Sequence, residues 1–193
     1  MGLQQRDEDA GLCLPAPGDL KRVQGFVNSV DLEDGLDLLG NPEQLRTWLA
    51  RHRLLDRDTP VSEADVRLVR EVREALRQLL LANNEAQPDR DAIRTLNRIG
   101  SQALLTVRFG DDGRTMLVPD QAGAPGAIGR VLADVYTAMT EGSWSRLKAC
   151  RNDTCRWAFY DYSKNHSGSW CTMAICGNRM KVRAYQQRRR SKS

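Results

Sequence analysis

Residues 150–190 read CRNDTCRWAFYDYSKNHSGSWCTMAICGNRMKVRAYQQRRR, and the spacing of their cysteines decides how the rest of the chain is divided. Four residues separate Cys150 from Cys155, four separate Cys171 from Cys176, and fifteen lie between the two pairs. Two close pairs joined by a loop have the form of a tetrahedral four-thiolate zinc site, each pair supplying two ligands. The gap inside each pair is longer than the usual two residues, which lowers the specificity of the pattern, and the equality of the gaps partly restores it. A disulfide pair, an iron–sulfur cluster and a redox couple compete for the same residues. The lack of a CxxC motif argues against the redox couple, and the symmetric pairing suits a single tetrahedral ion better than a cluster. His166 lies in the loop and would complete a site of three thiolates and one imidazole; beside four thiolates it reads as a spectator.

Between the pairs, Trp157, Phe159, Tyr160 and Trp170 offer a small apolar core to a unit of about 30 residues, a size that ordinarily needs a metal or disulfides to fold. Four thiolates and one Zn²⁺ sum to a net negative charge, so hydrogen-bond donors and cations should surround the sulfurs. Arg151, Arg156 and Arg179 are the cations nearest in sequence.

Charge divides the chain at the same place. The 193 residues carry a net +4, made of +8 over residues 150–193 and −4 over the remainder. That split predicts a polyanion-binding end on a slightly acidic body, against the plainer reading of a solubilising tail. After Cys176 the chain holds Arg179, Lys181, Arg183, Arg188, Arg189, Arg190 and Lys192 and no acid. In a helix, Arg179, Arg183, Gln186 and Arg190 share one face, and Lys181, Tyr185, Arg188 and Lys192 line another. Cations attract phosphates, while Asn178, Gln186 and the arginines also suit base edges. Spacing leaves open which face does which.

The body ahead of the cysteines reads as mainly helical with one small antiparallel hairpin, an α+β arrangement. Val66, Val69, Val72, Leu76, Leu79 and Leu80 form a 3.6-residue stripe, with Arg73, Glu74 and Arg77 placed on the opposite, solvent side and Ser62 and Asp65 at the start. Leu20, Val23, Val27 and Val30 form a second stripe, Asn41-Pro42 opens a third helix, and a fourth spans Asp91 to Gly100. ALLTVRFGDDGRTMLVPD predicts the hairpin around DDG. The glycine-rich QAGAPGAIG reads as a connection, with helical spacing resuming at Ile128. No nucleophile elbow, phosphate loop, dinucleotide fingerprint or HExxH motif is present, so an enzyme reading has little support. His52 and Cys13 read as structural residues. No run is apolar and long enough to span a membrane or resemble an export signal, which predicts a cytoplasmic protein.

Cys176-Gly177-Asn178-Arg179, with the paired cysteines, the FYDYSKN stretch, Trp170 and the basic segment after them, resembles the CGNR zinc finger of bacterial proteins. FVNSVD near residue 26, REVREALRQLL and the hairpin resemble the ABATE domain that commonly precedes it. The charged MGLQQRDEDAG start reads as a short flexible tail, 1–15; the resemblance implies an ABATE-like domain at 16–144 for ligand sensing or dimerisation, and a finger at 145–193 with a treble-cleft-like or similar small fold. It implies one structural Zn²⁺ held by Cys150, Cys155, Cys171 and Cys176, and a DNA-binding transcription regulator. Asn178, Arg179, Lys181, Arg183, Gln186, Arg188 and Arg190 are then the candidate contacts to duplex DNA. A small-molecule effector and a homodimer complete that expectation, with a zinc-stabilised RNA-binding or protein-interaction module as the alternative and a small-molecule enzyme or binding protein using a pocket in the N-terminal domain as a further one.

Overall fold

The computed structural model describes residues 13–190, so residues 1–12 of the expected tail lie outside the described residues, as does Lys192. Six helices run through it: α1 (Leu20–Val27), α2 (Pro42–Arg51), α3 (Glu63–Ala82), α4 (Arg90–Gly100), α5 (Gly123–Thr140) and α6 (Asn178–Arg190). Three antiparallel pairs accompany them: β1 (Val30–Asp31) with β2 (Leu36–Asp37), β3 (Leu105–Phe109) with β4 (Thr115–Pro119), and β5 (Leu147–Ala149) with β6 (Ala158–Tyr160). The mainly helical α+β reading holds, and two short pairs join the expected hairpin. Among the described residues no helix is long and apolar enough to cross a membrane.

Local chemistry starts the helices where the sequence marks them. Ser62 accepts from Asp65 N while the Asp65 carboxylate accepts from Ser62 N, a closed capping box at the head of α3. Asn41 accepts from Gln44 N ahead of Pro42, and Asp89 accepts from Asp91 N and Ala92 N.

Three features depart from the sequence reading. The α1 stripe stops at Val27, and Val30 pairs with Asp37 in β1–β2, because the chain turns at Asn28 to commit that side chain elsewhere. The glycine-rich run is the first two turns of α5, not a connection: a Cβ at Gly126 would lie 2.0 Å from Gln121 O, so glycine permits the tight entry into the helix. Arg73 and Arg77 are each only 2% exposed. Arg73 grips the Asp37 carboxylate at 2.7 and 3.0 Å and donates to Ser29 Oγ, while Arg77 donates to Val27 O at 2.6 Å. Glu74 joins both guanidiniums, so these charges are paired inside the body.

One apolar core runs through the molecule. Phe26, Leu45, Leu49, Val69, Leu76, Leu80 and Val131 supply most of it, and Leu147, Ala149 and Ala158 of β5–β6 belong to the same cluster, each fully buried. The hairpin that carries the first two cysteines is therefore packed into the body. Of the four aromatics expected to form a miniature core, Tyr160 packs on the edge of this shared one and Phe159 is buried outside it.

Candidate metal centre and basic helix

Side-chain amides of the body hold the hairpin by its backbone. Asn28 accepts from Ala158 N at 2.7 Å and donates to Ala158 O at 2.9 Å, closing both polar groups of one residue. Asn83 donates to Trp144 O and Leu147 O, and Asn84 to Ala149 O and Ser169 O. Arg77 adds a bond to Arg156 O at 2.9 Å. The bonds to Ala158 and to Ala149 O are buried, where a backbone group left unpaired would cost on the order of 1–3 kcal/mol.

The hairpin then delivers the first cysteine pair. Cys150 follows β5 directly, and the turn back to β6 folds over Asn152 O, which accepts from Cys155 N and Arg156 N at 2.9 and 3.0 Å. The second pair comes from the far end of the loop. Cys171 precedes a five-residue π-type turn, Met173–Gly177, whose start is capped by Thr172 and which contains Cys176. A Cβ at Gly177 would lie 2.5 Å from Met173 Sδ, so a larger residue there would have to displace the exposed Met173 side chain.

The sulfurs of Cys150, Cys155, Cys171 and Cys176 all lie within 4.8 Å of one another, and among the described residues His166 is not part of the cluster. Cys155 Sγ and Cys171 Sγ are 3.7 Å apart, Cys171 Sγ and Cys176 Sγ 3.6 Å. A tetrahedron with Zn–S bonds of ~2.3 Å has S···S edges of about 3.8 Å, so the donors and spacing fit one zinc ion. No disulfide joins them. As bare thiols the set is in conflict: hydrogen bonds from Cys155 and Cys171 draw the Cys150 thiol far below its usual range, and hydrogen bonding to Cys150 pushes both partners far above theirs. A divalent cation lets all four ionise together.

Backbone N–H groups of Asn152, Cys171 and Trp157 donate to the sulfurs, and beside them stands a side chain that sequence reasoning missed. Asn152, fully buried, donates from Nδ2 to Cys176 Sγ at 3.6 Å. Of the three expected cations, Arg151 is engaged with Asn84 O and Glu85 and Arg156 with Asp153, while Arg179 pairs with Glu33 of the β1–β2 turn at 2.5 Å and also feels the charge of Cys176 and Cys155. Arg183 reaches the site indirectly, donating to Asn152 Oδ1 at 3.3 Å. An asparagine before the second cysteine carries no pattern that would have singled it out.

Lys148 and Asp161 organise the loop between the pairs. Their side chains, 6% and 4% exposed, meet at 2.8 Å, and Asp161 also accepts from Ser163 N and Gly168 N. Burial alone would raise the Asp161 carboxyl; the bonds from Lys148, Ser163 and Gly168 hold it well below the usual range.

Of the remaining candidates, His52 stacks on Trp48 with ring centroids 3.7 Å apart, which is a packing role. Burial first and the neighbouring Cys150 second push the Cys13 thiol up to about 12, leaving it unreactive near neutral pH. Asn178, Arg179, Lys181, Arg183, Gln186 and Arg188 all lie exposed on α6, as does Arg189, and the side chain of Arg190 lies outside the described residues.

The profile of the ABATE family, described as "Putative stress-induced transcription regulator", matches residues 21–142. The chain belongs to the ABATE family. The CGNR zinc finger profile follows at residues 146–189, directly over the four-sulfur cluster and α6. A comparison with curated proteins gave no match. The ABATE region thus supplies Asn28, Arg77, Asn83 and Asn84, which grip the CGNR finger, and the finger together with its sulfur cluster supports one structural zinc ion. The family description points to a regulator rather than an enzyme.

Proposed function

We propose that this ABATE protein is a DNA-binding transcription regulator whose zinc-held finger presents α6 to duplex DNA. One observation carries the reading. Over residues 178–190, α6 holds six Lys or Arg and no acid, and only Met180 of residues 178–189 is less than exposed. A helix this basic and this polar gains nothing from burial, and its charge suits phosphates. The metal fixes its start, because Cys176 lies just before Asn178. Within this reading Asn178, Arg179, Lys181, Arg183, Gln186, Arg188 and Arg190 are the contact set, and the body is the platform that orients them.

A single helix of 13 residues contacts few base pairs, so an extended site would be read by two copies or with a second protein. Ligand sensing or dimerisation by residues 16–144 is the further element of this reading.

The test uses the full zinc-loaded chain, because the finger shares its core with the body. Duplex affinity should fall steeply with salt, and Lys181→Ala and Arg188→Ala should each flatten the slope of log K against log salt by about one. An affinity independent of salt, or tighter binding to structured RNA than to duplex, would sink the DNA reading.

A further inference from the structure

The sequence groups Arg179, Arg183, Gln186 and Arg190 on one helical face without saying which face meets a partner. The structure ties two of those arginines inward. Arg179 is held by Glu33 at 2.5 Å and Arg183 by Asn152 at 3.3 Å, and Met180, on the same side, is the half-buried residue of the helix. At 3.6 residues per turn, the row beside these anchors is Asn178, Val182, Tyr185 and Arg189, at i, i+4, i+7 and i+11. All four are exposed, Val182 by 54% and Tyr185 by 58%.

Beside this row lies an open groove of about 510 Å³, lined by Ala174, Ile175, Asn178, Arg179, Val182 and Arg183. Its floor is apolar and its rim is amide and guanidinium. Ile175 and Val182 are exposed within it, although the helix around them carries six cations. Two exposed aliphatic side chains flanked by guanidiniums give the groove a face complementary to a polyanion that also presents apolar groups.

We infer that this groove is the base-reading surface of α6, taking the major-groove edge of A·T-containing duplex DNA with Val182 against a thymine methyl. The inference rests on the DNA reading above. A helix fits the major groove, where thymine alone presents a methyl and adenine pairs with an amide side chain. Asn178 and Val182, about 6 Å apart along the helix, span about two base-pair steps, which lets the amide meet adenine next to the methyl that meets valine. The cations flanking the row, Lys181 and Arg188 on one side and Arg179 and Arg183 on the other, complement the two phosphate strands that wall the groove. Arg179 and Arg183 then act as positioning residues, since their partners on the protein fix the roll of the helix.

The experiment selects preferred sites from a random duplex pool with the full zinc-loaded chain, then measures affinity by anisotropy. Each thymine of the preferred site is replaced in turn by deoxyuridine, which removes only the methyl. At one or two positions the replacement should weaken binding about fourfold, the worth of one buried methyl. Val182→Ala, at an exposed position, should abolish that sensitivity and leave the salt slope unchanged. Lys181→Ala should do the reverse, flattening the slope and keeping the deoxyuridine effect. Equal deoxyuridine sensitivity in wild type and Val182→Ala, or steep salt dependence with no A·T preference, would overturn the inference while leaving the DNA reading intact. Absence of salt-dependent duplex binding by the wild type would overturn both.

Discussion

Asn152 uses one amide in two directions: Nδ2 donates to the Cys176 sulfur, and Oδ1 accepts from Arg183 on the basic helix. A donor to a thiolate lowers the charge that the metal must offset alone. Asn152→Ala should weaken zinc binding by ten- to a hundredfold, read by competition with a chromogenic chelator, with the helical content of the body unchanged. Asn152→Asp should weaken it further by adding an anion beside four thiolates. The difference between the cysteines and Asn152 shows what a sequence can reveal about a site. Thiolate is a scarce, specialised ligand, so four in paired spacing announce themselves. An amide serves caps, turns and sulfurs alike, and nothing in its position marks its task. Arg73 and Arg77 were illegible for a related reason. Their spacing places them opposite the valine stripe, but a guanidinium can be buried wherever carboxylates and carbonyls converge on it, and Asp37, Glu74 and Val27 O lie far apart in sequence.

Among the elements, α3 was legible because stripe and cap agree, as with Ser62 and Asp65, and α2 because Asn41 and Pro42 mark its start. The start of α5 was not, because glycine ordinarily marks a turn and here serves a close backbone approach at Gly126. The β5–β6 hairpin and its loop depend on the buried Lys148–Asp161 pair. The Asp161 carboxyl is held below its value in an unfolded chain, near 3.9, so its contribution is complete above that pH and is lost as pH falls through the lowered value. Acid should therefore release the 161–168 loop below about pH 4. Proton competition for the thiolates acts in the same direction, so substitution separates the two effects. Asp161→Asn should cost about 3 kcal/mol in urea unfolding at pH 7, because Lys148 is left buried without a counter-charge. The pair Lys148→Met with Asp161→Leu should recover most of that loss. A single variant as stable as wild type would show that water, not Asp161, balances Lys148.

At the scale of the whole molecule, the ABATE region and the finger are joined by one core and by side chains that cross between them. Metal removal should therefore act unevenly. After chelation or Cys171→Ser, hydrogen exchange should become rapid over residues 171–190, while residues 147–160 stay protected by Asn28, Asn83 and Asn84. Uniform exposure of 147–190 would mean that the metal, not the body, seats the hairpin. The Arg179–Glu33 contact links the body to α6, and it sets a body carboxylate against a cation of the proposed DNA surface. Glu33→Gln should raise duplex affinity severalfold at low salt, with the gain vanishing at high salt. The shared core also imposes an order on biosynthesis. Leu147, Ala149 and Ala158 fill a slot between helices that leave the ribosome more than sixty residues earlier. Until they arrive, Asn28, Asn83 and Asn84 face an open apolar gap. The nascent chain must therefore wait for its last quarter before it can close, which makes that interval its period of greatest exposure to aggregation and to chaperones.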